Sequence, residues 1–293
     1  MLQLYVGGKP LTRLKSDDIN HISSRLTQYN MELQSITGRN LFGIASHSCS
    51  VNKTEMKARA SSFSFHVIPI TTGQGIISNF SATVCSILQF LGFKAEVAEN
   101  SDITGLASAF RKGADGIMMA DDHQFIGINL HTRSVADNSE ATGRISSAAL
   151  DLMAGGIKGS KVLVLGCGSV GESAARSLLA FGARVVLYDI DIVAARDVKE
   201  NLAGQGDIAI ADSIQNSAAK YRYILEATPA TNSIPDGLLT DKSCVVAPGV
   251  PLGLSSKGCE ILNNHLVHDK LELGVAAMAV SLLSSTNPGD NLD

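Results

Sequence analysis

Two groups of residues have the types and spacing for chemistry. The first is "GCGSVG" at 166–171, a G-x-G-x-x-G loop between the apolar run "KVLVL" (161–165) and the helical "ESAARSLLAFGA" (172–183). A further apolar run, "RVVLYD", ends in Asp189, 23 positions after Gly166. This order of strand, glycine loop, helix, strand and acid is the pattern that binds a dinucleotide. Gly166 permits the tight turn, Gly168 lets the backbone approach the pyrophosphate, and Gly171 allows the helix to pack closely on the strand. The amides of Ser169 and Val170 would meet the anion at the positive end of the helix. An acid about 20 residues after the glycines binds the ribose hydroxyls. Asp189 would repel a 2′-phosphate, and Ile190 and Asp191 bring no compensating arginine, so the pattern selects NAD over NADP. Two later strand ends, Thr228–Pro229 and Pro248–Gly249, are expected to flank the nicotinamide. Cys167, inside the glycine loop, reads as a small packing residue.

The second group is Asp121–Asp122 in "DGIMMADDHQ" (115–124). An apolar run that ends in two acids is either a polar turn or a site of proton chemistry, and the local sequence leaves both open. Oxidation of an amine suits a carboxylate. It attracts the ammonium form and, with its pKa raised by partial burial, accepts the proton. Neighbours at a strand end face opposite sides, so one of the two is expected to point into a cleft. Of seven histidines, His123 alone lies in this loop, and no metal-ligand spacing is present.

These groups need elements to position them. A capping Ser16, with Asp17 and Asp18 behind it, predicts a helix to about Thr37, while 38–62 stays unassigned. Strands are expected at 63–70, 94–99 and 115–120, separated by helical stretches at 76–91 and 103–112. That alternation implies parallel pairing. The loops "TTGQG", with Gly73 and Gly75, and "DDHQ" then open at one edge of the sheet, which places Thr72 beside Asp121 and the substrate. A helix over 139–154, capped by Asn138 or Ser139, leads into the dinucleotide unit. Past 269, "LELGVAAMAVSLLSS" is an apolar helix expected to return to the first domain, and "TNPGDNLD" reads as a loose tail. The expected fold is α/β: an N-terminal substrate-binding domain (1–143) with a short parallel sheet, a Rossmann NAD-binding domain (144–269), and a C-terminal helix and tail (270–293), linked by long helices.

The totals agree with an enzyme of this size. The 293 residues are 45% hydrophobic and 18% charged, which excludes a disordered chain. A net charge of −4 with no basic block argues against nucleic-acid or membrane-surface partners. Five cysteines without a C-x-x-C pair fit a reducing compartment. With no signal-like start and no long apolar run, the expectation is a cytoplasmic protein.

Six stretches together resemble the PylD family of pyrrolysine-biosynthesis dehydrogenases, over about Leu14 to Leu283: "TTGQGIISNFS" (71–81), "MADDHQFIGINL" (119–130), "ADNSEATG" (136–143), "VLGCGSVG" (164–171), "LEATPATNSIP" (225–235) and "APGVP" (247–251). The glycine loop is common to many families, whereas the MADD and T-x-G-x-G-I-I stretches are far more specific. The resemblance implies NAD-dependent oxidation of the lysine–methylornithine isopeptide, 3-methylornithyl-N6-lysine. The terminal amine becomes an imine or aldehyde, ammonia leaves, and the α-amine closes the pyrroline ring. It also implies that Asp121 binds and deprotonates the reacting amine, and that Phe80, Leu14 and Asn138 contact the substrate. A homodimer is the family's form. Residues 1–13 extend beyond the family pattern. A dehydrogenase of another amino acid or a folate-like carrier, or an NAD-binding regulator without turnover, are the alternatives.

Overall fold

Residues 14–73, 77–214 and 221–285 are described by the computed structural model. Residues 1–13, Gly75 and the tail from 286 lie outside them. The helix expected from Ser16 to Thr37 is two helices, α1 (Ser16–Ile19) and α2 (Ile22–Thr37), broken at Asn20–His21. Lys15, not Ser16, holds the cap position, where its amide donates to Asp18 Oδ2 at 2.9 Å. The unassigned segment folds into α3 (Leu41–Ser48) and α4 (Lys53–Ala60). Each starts at an asparagine whose side chain accepts first-turn amides: Asn40 from Gly43, Asn52 from Thr54 and Glu55. These bonds satisfy donors that a helix start leaves open.

The first sheet runs through β1 (Ser64–Val67), α5 (Phe80–Leu91), β2 (Lys94–Val97), α6 (Asp102–Arg111), β3 (Gly116–Ala120), β4 (Phe125–Asn129) and β5 (Val135–Asp137). Its order is β2-β1-β3-β4-β5. The first three strands are parallel as expected, but β4 and β5 continue the sheet antiparallel. The short parallel sheet is therefore a mixed one. Asp121–Asp122 belongs to the tight turn from β3 back into β4. In β4, Phe125, Gly127 and Asn129 are buried and alternate with half-buried isoleucines, the pattern of a strand covered on one face.

Helix α7 (Asn138–Ala154) carries the chain to the second sheet. Its cap is Asp137, which accepts the amides of Ser139 and Glu140, so neither Asn138 nor Ser139 caps it. The second sheet comprises β6 (Lys161–Leu165), β7 (Arg184–Tyr188), β8 (Ile208–Ile210), β9 (Tyr223–Glu226), β10 (Cys244–Ala247) and β11 (Leu266–His268). All pairings are parallel, in the order β11-β10-β9-β6-β7-β8. Two halves thus diverge from β6 and β9, the switch point of a doubly wound sheet. The central strands β6 and β9 are apolar but for Lys161 and Glu226 at their ends, because helices cover both faces. Helices α8 (Ser169–Ala180) and α9 (Ile192–Asn201) follow β6 and β7.

The two sheets are held together by tight helix packing. A Cβ on Gly143 of α7 would stand 2.4 Å from Val170 O and 2.7 Å from Ser173 Cβ, so only glycine lets α7 lie this close to α8. Ser147 Oγ donates to Gly143 O and Ala174 O, and Ser173 Oγ donates to Glu140 O at 2.7 Å. The C-terminal helix, Glu272–Ser284, is apolar on nearly all sides and packs against α3, α5 and α7 and strands β4 and β5. Arg59 Nη2 and Asn129 Nδ2 donate to its carbonyls at Leu283 and Leu282, 2.7 and 2.9 Å away.

Candidate active site

At the carboxyl edge of the first sheet, the loop after β1, the start of α5 and the β3–β4 turn enclose a cavity. Thr72, Phe80, Met119, Asp121 and Asp122 line it. Parallel β1 and β3 bring these loops together as their direction requires. Asp121 closes the turn. Its amide donates to Gln124 O at 2.9 Å, and its Oδ1 accepts the amides of His123 and Gln124 at 2.7 and 2.8 Å. This is an Asx turn, in which the side chain does the work of a backbone carbonyl. The two amide bonds stabilise the carboxylate and hold its pKa below the ordinary range. Asp121 is exposed, so the upward shift expected from burial is not found.

Asp122 does not point away. It is half-buried, lines the same cavity, and its carboxylate lies against Gly73 of the β1 loop. Phe80 opens α5 directly after Asn79, whose φ of 65° is left-handed. Its ring meets Phe125 edge-on at 5.1 Å and 79°, which fastens the helix start to the strand leaving the aspartate turn. Leu14 and Asn138 are not among the described residues lining this cavity. Leu14 packs on the core. Asn138 Oδ1 is buried with no hydrogen-bond partner among the described residues, 2.5 Å from where a Cβ on Gly274 would stand.

The glycine loop has the shape its sequence demands. Gly166 has φ +90°, and a Cβ there would stand 2.7 Å from Ala227 O. A Cβ on Gly171 would stand 1.9 Å from Gly166 O, so glycine is obligatory for the helix to approach. Around Gly168 the space is open, with no atom within 4 Å of the Cβ position. Helix α8 has no side-chain cap, and the first amides of any helix lack intrahelical partners. An anion fits both conditions. Asp189 braces this loop: its Oδ2 accepts Cys167 N at 2.7 Å and its Oδ1 accepts Asp191 N at 2.8 Å. Ile190 beside it is 95% exposed. Burial, and then the charge of Asp189, push the Cys167 thiol up to about 12, which rules it out as a nucleophile at neutral pH.

Two acidic features escaped the sequence reading. Glu226, the last residue of β9, is wholly buried between the loops that bear Thr228 and Gly249. Asp269, just after β11, is buried with Glu272 and accepts Tyr29 Oη at 3.3 Å and Leu273 N at 2.8 Å. Burial, then the charge of Glu272, hold its carboxyl well above the usual range. The available signal was a charged residue closing an apolar run, in "YILEA" and in "LVHDKLELG".

Pyrrolysine synthase of Methanosarcina barkeri is 32% identical to this chain over 272 residues, covering 92% of this chain and 97% of that protein. The chain belongs to the pyrrolysine synthase (PylD) family. The family's N-terminal domain, described as that of pyrrolysine biosynthesis protein PylD, matches residues 18–136. Residues 138–228 match the alanine dehydrogenase/PNT C-terminal domain. Pyrrolysine synthase of Methanosarcina acetivorans is 29% identical over 271 residues, 92% of this chain. The protein is thus an oxidoreductase of pyrrolysine biosynthesis. In fold it is similar to a quinate dehydrogenase from Corynebacterium glutamicum solved in complex with NAD. The TM-score is 0.53 at 18% identity, over 76% of this chain and 93% of that one.

Proposed function

We propose that this pyrrolysine synthase relative uses NAD to oxidise the terminal amine of 3-methylornithyl-N6-lysine. The reading assigns residues 1–143 to the substrate and 144–269 to the cofactor. Its main support is the cavity in which the anionic Asp121 stands beside the ring of Phe80. A flexible hydrocarbon arm ending in an ammonium has the complementary chemistry, apolar along its length and cationic at its tip.

The residues divide the work as follows. Phe80 and Met119 cover the arm, and Thr72 offers a hydroxyl at the mouth. Asp121 draws in the ammonium as an ionised carboxylate. Displacement of water by the arm pushes the pKa of Asp121 up, against the downward pull of the ammonium charge, which vanishes as the proton passes. It then takes the amine proton at its Oδ2, since Oδ1 is committed to the turn. The freed lone pair drives loss of hydride from the adjacent carbon. On the other side of the cleft, Gly168 and the first turn of α8 would hold the pyrophosphate, Asp189 the ribose, and Thr228, Pro229, Pro248 and Gly249 the nicotinamide ring. NAD supplies the two-electron acceptor. Ammonia leaves from the oxidised carbon, and the substrate's own α-amine closes the five-membered ring.

Incubation with the isopeptide and NAD tests the proposal. Equal amounts of NADH and a pyrroline product of the expected mass are the predicted result. NADH formation from a different amino acid, with none from the isopeptide, would overturn it.

A further inference from the structure

Glu226 has no assigned task, yet its surroundings are built around it. It ends β9, its relative exposure is 0%, and it faces inward to the loops that follow β9 and β10. Oε1 accepts three hydrogen bonds: from Thr228 N at 2.9 Å, from Thr228 Oγ1, and from Ser233 Oγ at 3.0 Å. Oε2 is buried with no partner among the described residues. Two glycines make the room. A Cβ on Gly253 would stand 2.6 Å from Glu226 Cδ and 2.1 Å from Ser233 Oγ. One on Gly249 would stand 2.9 Å from Oε2 and 2.2 Å from Thr228 O. Residues 226, 228, 233, 249 and 253 therefore form one unit, although two loops supply them.

We propose that Glu226 is a positioning residue of the cofactor pocket, fastening the Thr228 loop to the Gly249 loop so that both present one fixed wall to the nicotinamide. The inference rests on the cofactor reading above. The geometry also favours a protonated carboxyl in the clamp. A buried, charged Oε2 without a donor costs much more than a protonated one. The groups acting on the carboxyl are the hydroxyls of Thr228 and Ser233 and backbone of Thr228 and Gly253, none of which titrates. Burial is the leading influence and pushes the carboxyl upward. With Oε2 protonated, three donors still converge on Oε1 and no bare charge is buried.

That assignment separates two substitutions. Glutamine keeps an acceptor at Oε1 and places a neutral NH₂ where the protonated oxygen was. Alanine removes the clamp. The full-length protein is titrated with NADH, followed by the dinucleotide's own fluorescence, and each variant is checked by thermal unfolding. Glu226→Gln should bind NADH within about threefold of the parent, and Glu226→Ala should bind about tenfold or more weakly, a loss of about 1.4 kcal/mol. As pH rises through the carboxyl's elevated titration, the parent should lose NADH affinity while Glu226→Gln does not. If Glu226→Ala fails to fold, this difference in pH profile decides alone. A Glu226→Ala protein that folds and keeps its affinity, a glutamine variant as impaired as the alanine one, or identical pH profiles would each overturn the role. The parent is titrated with NADPH as well. Binding of NADPH in place of NADH would refute the choice of cofactor and leave the clamp to be read with NADPH. Binding of neither would refute both readings.

Discussion

Asp122 occupies the space that a side chain on Gly73 would need: its Oδ1 lies 2.8 Å from the position of that Cβ. The aspartate turn and the loop after β1 can close on the cavity together only because residue 73 has no side chain. Gly73→Ala should push them apart, as overpacking does elsewhere at a cost of about 1–3 kcal/mol. The expected result is a Michaelis constant for the isopeptide raised about tenfold, with NADH affinity unchanged. An unchanged Michaelis constant would mean that the contact does not shape the pocket.

Asp121 and Asp122 share a cavity, and the turn that Asp121 closes shapes the expectation for their variants. Asn at 121 can still accept the amides of His123 and Gln124, so the turn should survive. The charge and the basic oxygen are lost, and loss of a general base costs about 10²–10⁴-fold. Asp122→Asn should stay within a few-fold, because asparagine keeps the shape of the carboxylate against Gly73. The wild-type acid limb of kcat/KM should lie below the ordinary carboxylate range, since backbone bonds depress the Asp121 pKa in the free enzyme. Turnover retained by Asp121→Asn would remove it from the mechanism.

Asp189 braces the glycine loop and is proposed to hold the ribose, and one substitution touches both. It would bind the ribose hydroxyls, and it accepts the amides of Cys167 and Asp191. Asp189→Ala should therefore weaken NAD by about tenfold or more, since hydrogen bonds to charged groups are worth about 1.5–3 kcal/mol. NADP should gain relative to NAD because the repulsion has gone. The ratio of the two dissociation constants is the measurement. A parent that binds both equally would show that the carboxylate does not select.

Phe80 packs on Phe125, so its removal affects fold and binding together. An edge-to-face pair contributes about 0.5–1.5 kcal/mol beyond its area. Phe80→Ala should lower stability by about that much and raise the isopeptide Michaelis constant by more than stability alone explains. Phe80→Leu keeps bulk without the ring and should recover most of the binding. A stability loss with an unchanged Michaelis constant would make Phe80 a core residue.

Asp269 provides a pH signature. Its carboxyl titrates above the unfolded value because it is buried, and because Glu272 lies beside it. Between the two values the folded state binds more protons than the unfolded one, so this group's contribution to stability falls as pH rises. Asp269→Asn keeps the acceptor for Tyr29 and Leu273 and cannot ionise. Its stability relative to the parent should therefore improve from acidic to alkaline pH, as read by thermal unfolding across that range. A difference independent of pH would refute the buried, proton-holding state.

The dinucleotide unit was legible from the sequence because its constraints are local. A turn at Gly166, an approach at Gly168 and a contact at Gly171 all act within a few residues, and the acid follows one strand later. The first three strands were legible for a related reason, since alternating strands and helices enforce parallel direction, and direction alone brings Thr72 to the aspartates. The segment 38–62 was not, because Asn40 and Asn52 start helices too short to show a clear period. The return of the chain into β4 was missed as well. "FIGIN" alternates over five residues, and only its pairing with β3 reveals a strand. That pairing decided the character of the aspartates: the antiparallel return makes Asp121 an Asx-turn residue with a lowered pKa, and it turns Asp122 toward Gly73. For Glu226 and Asp269 the sequence offered only an acid closing an apolar run, and their burial depended on tertiary structure. Burial bears on the protonation of a carboxyl, and part of what surrounds each of these two comes from far along the chain: the loop after β10 for Glu226, and Tyr29 of α2 for Asp269.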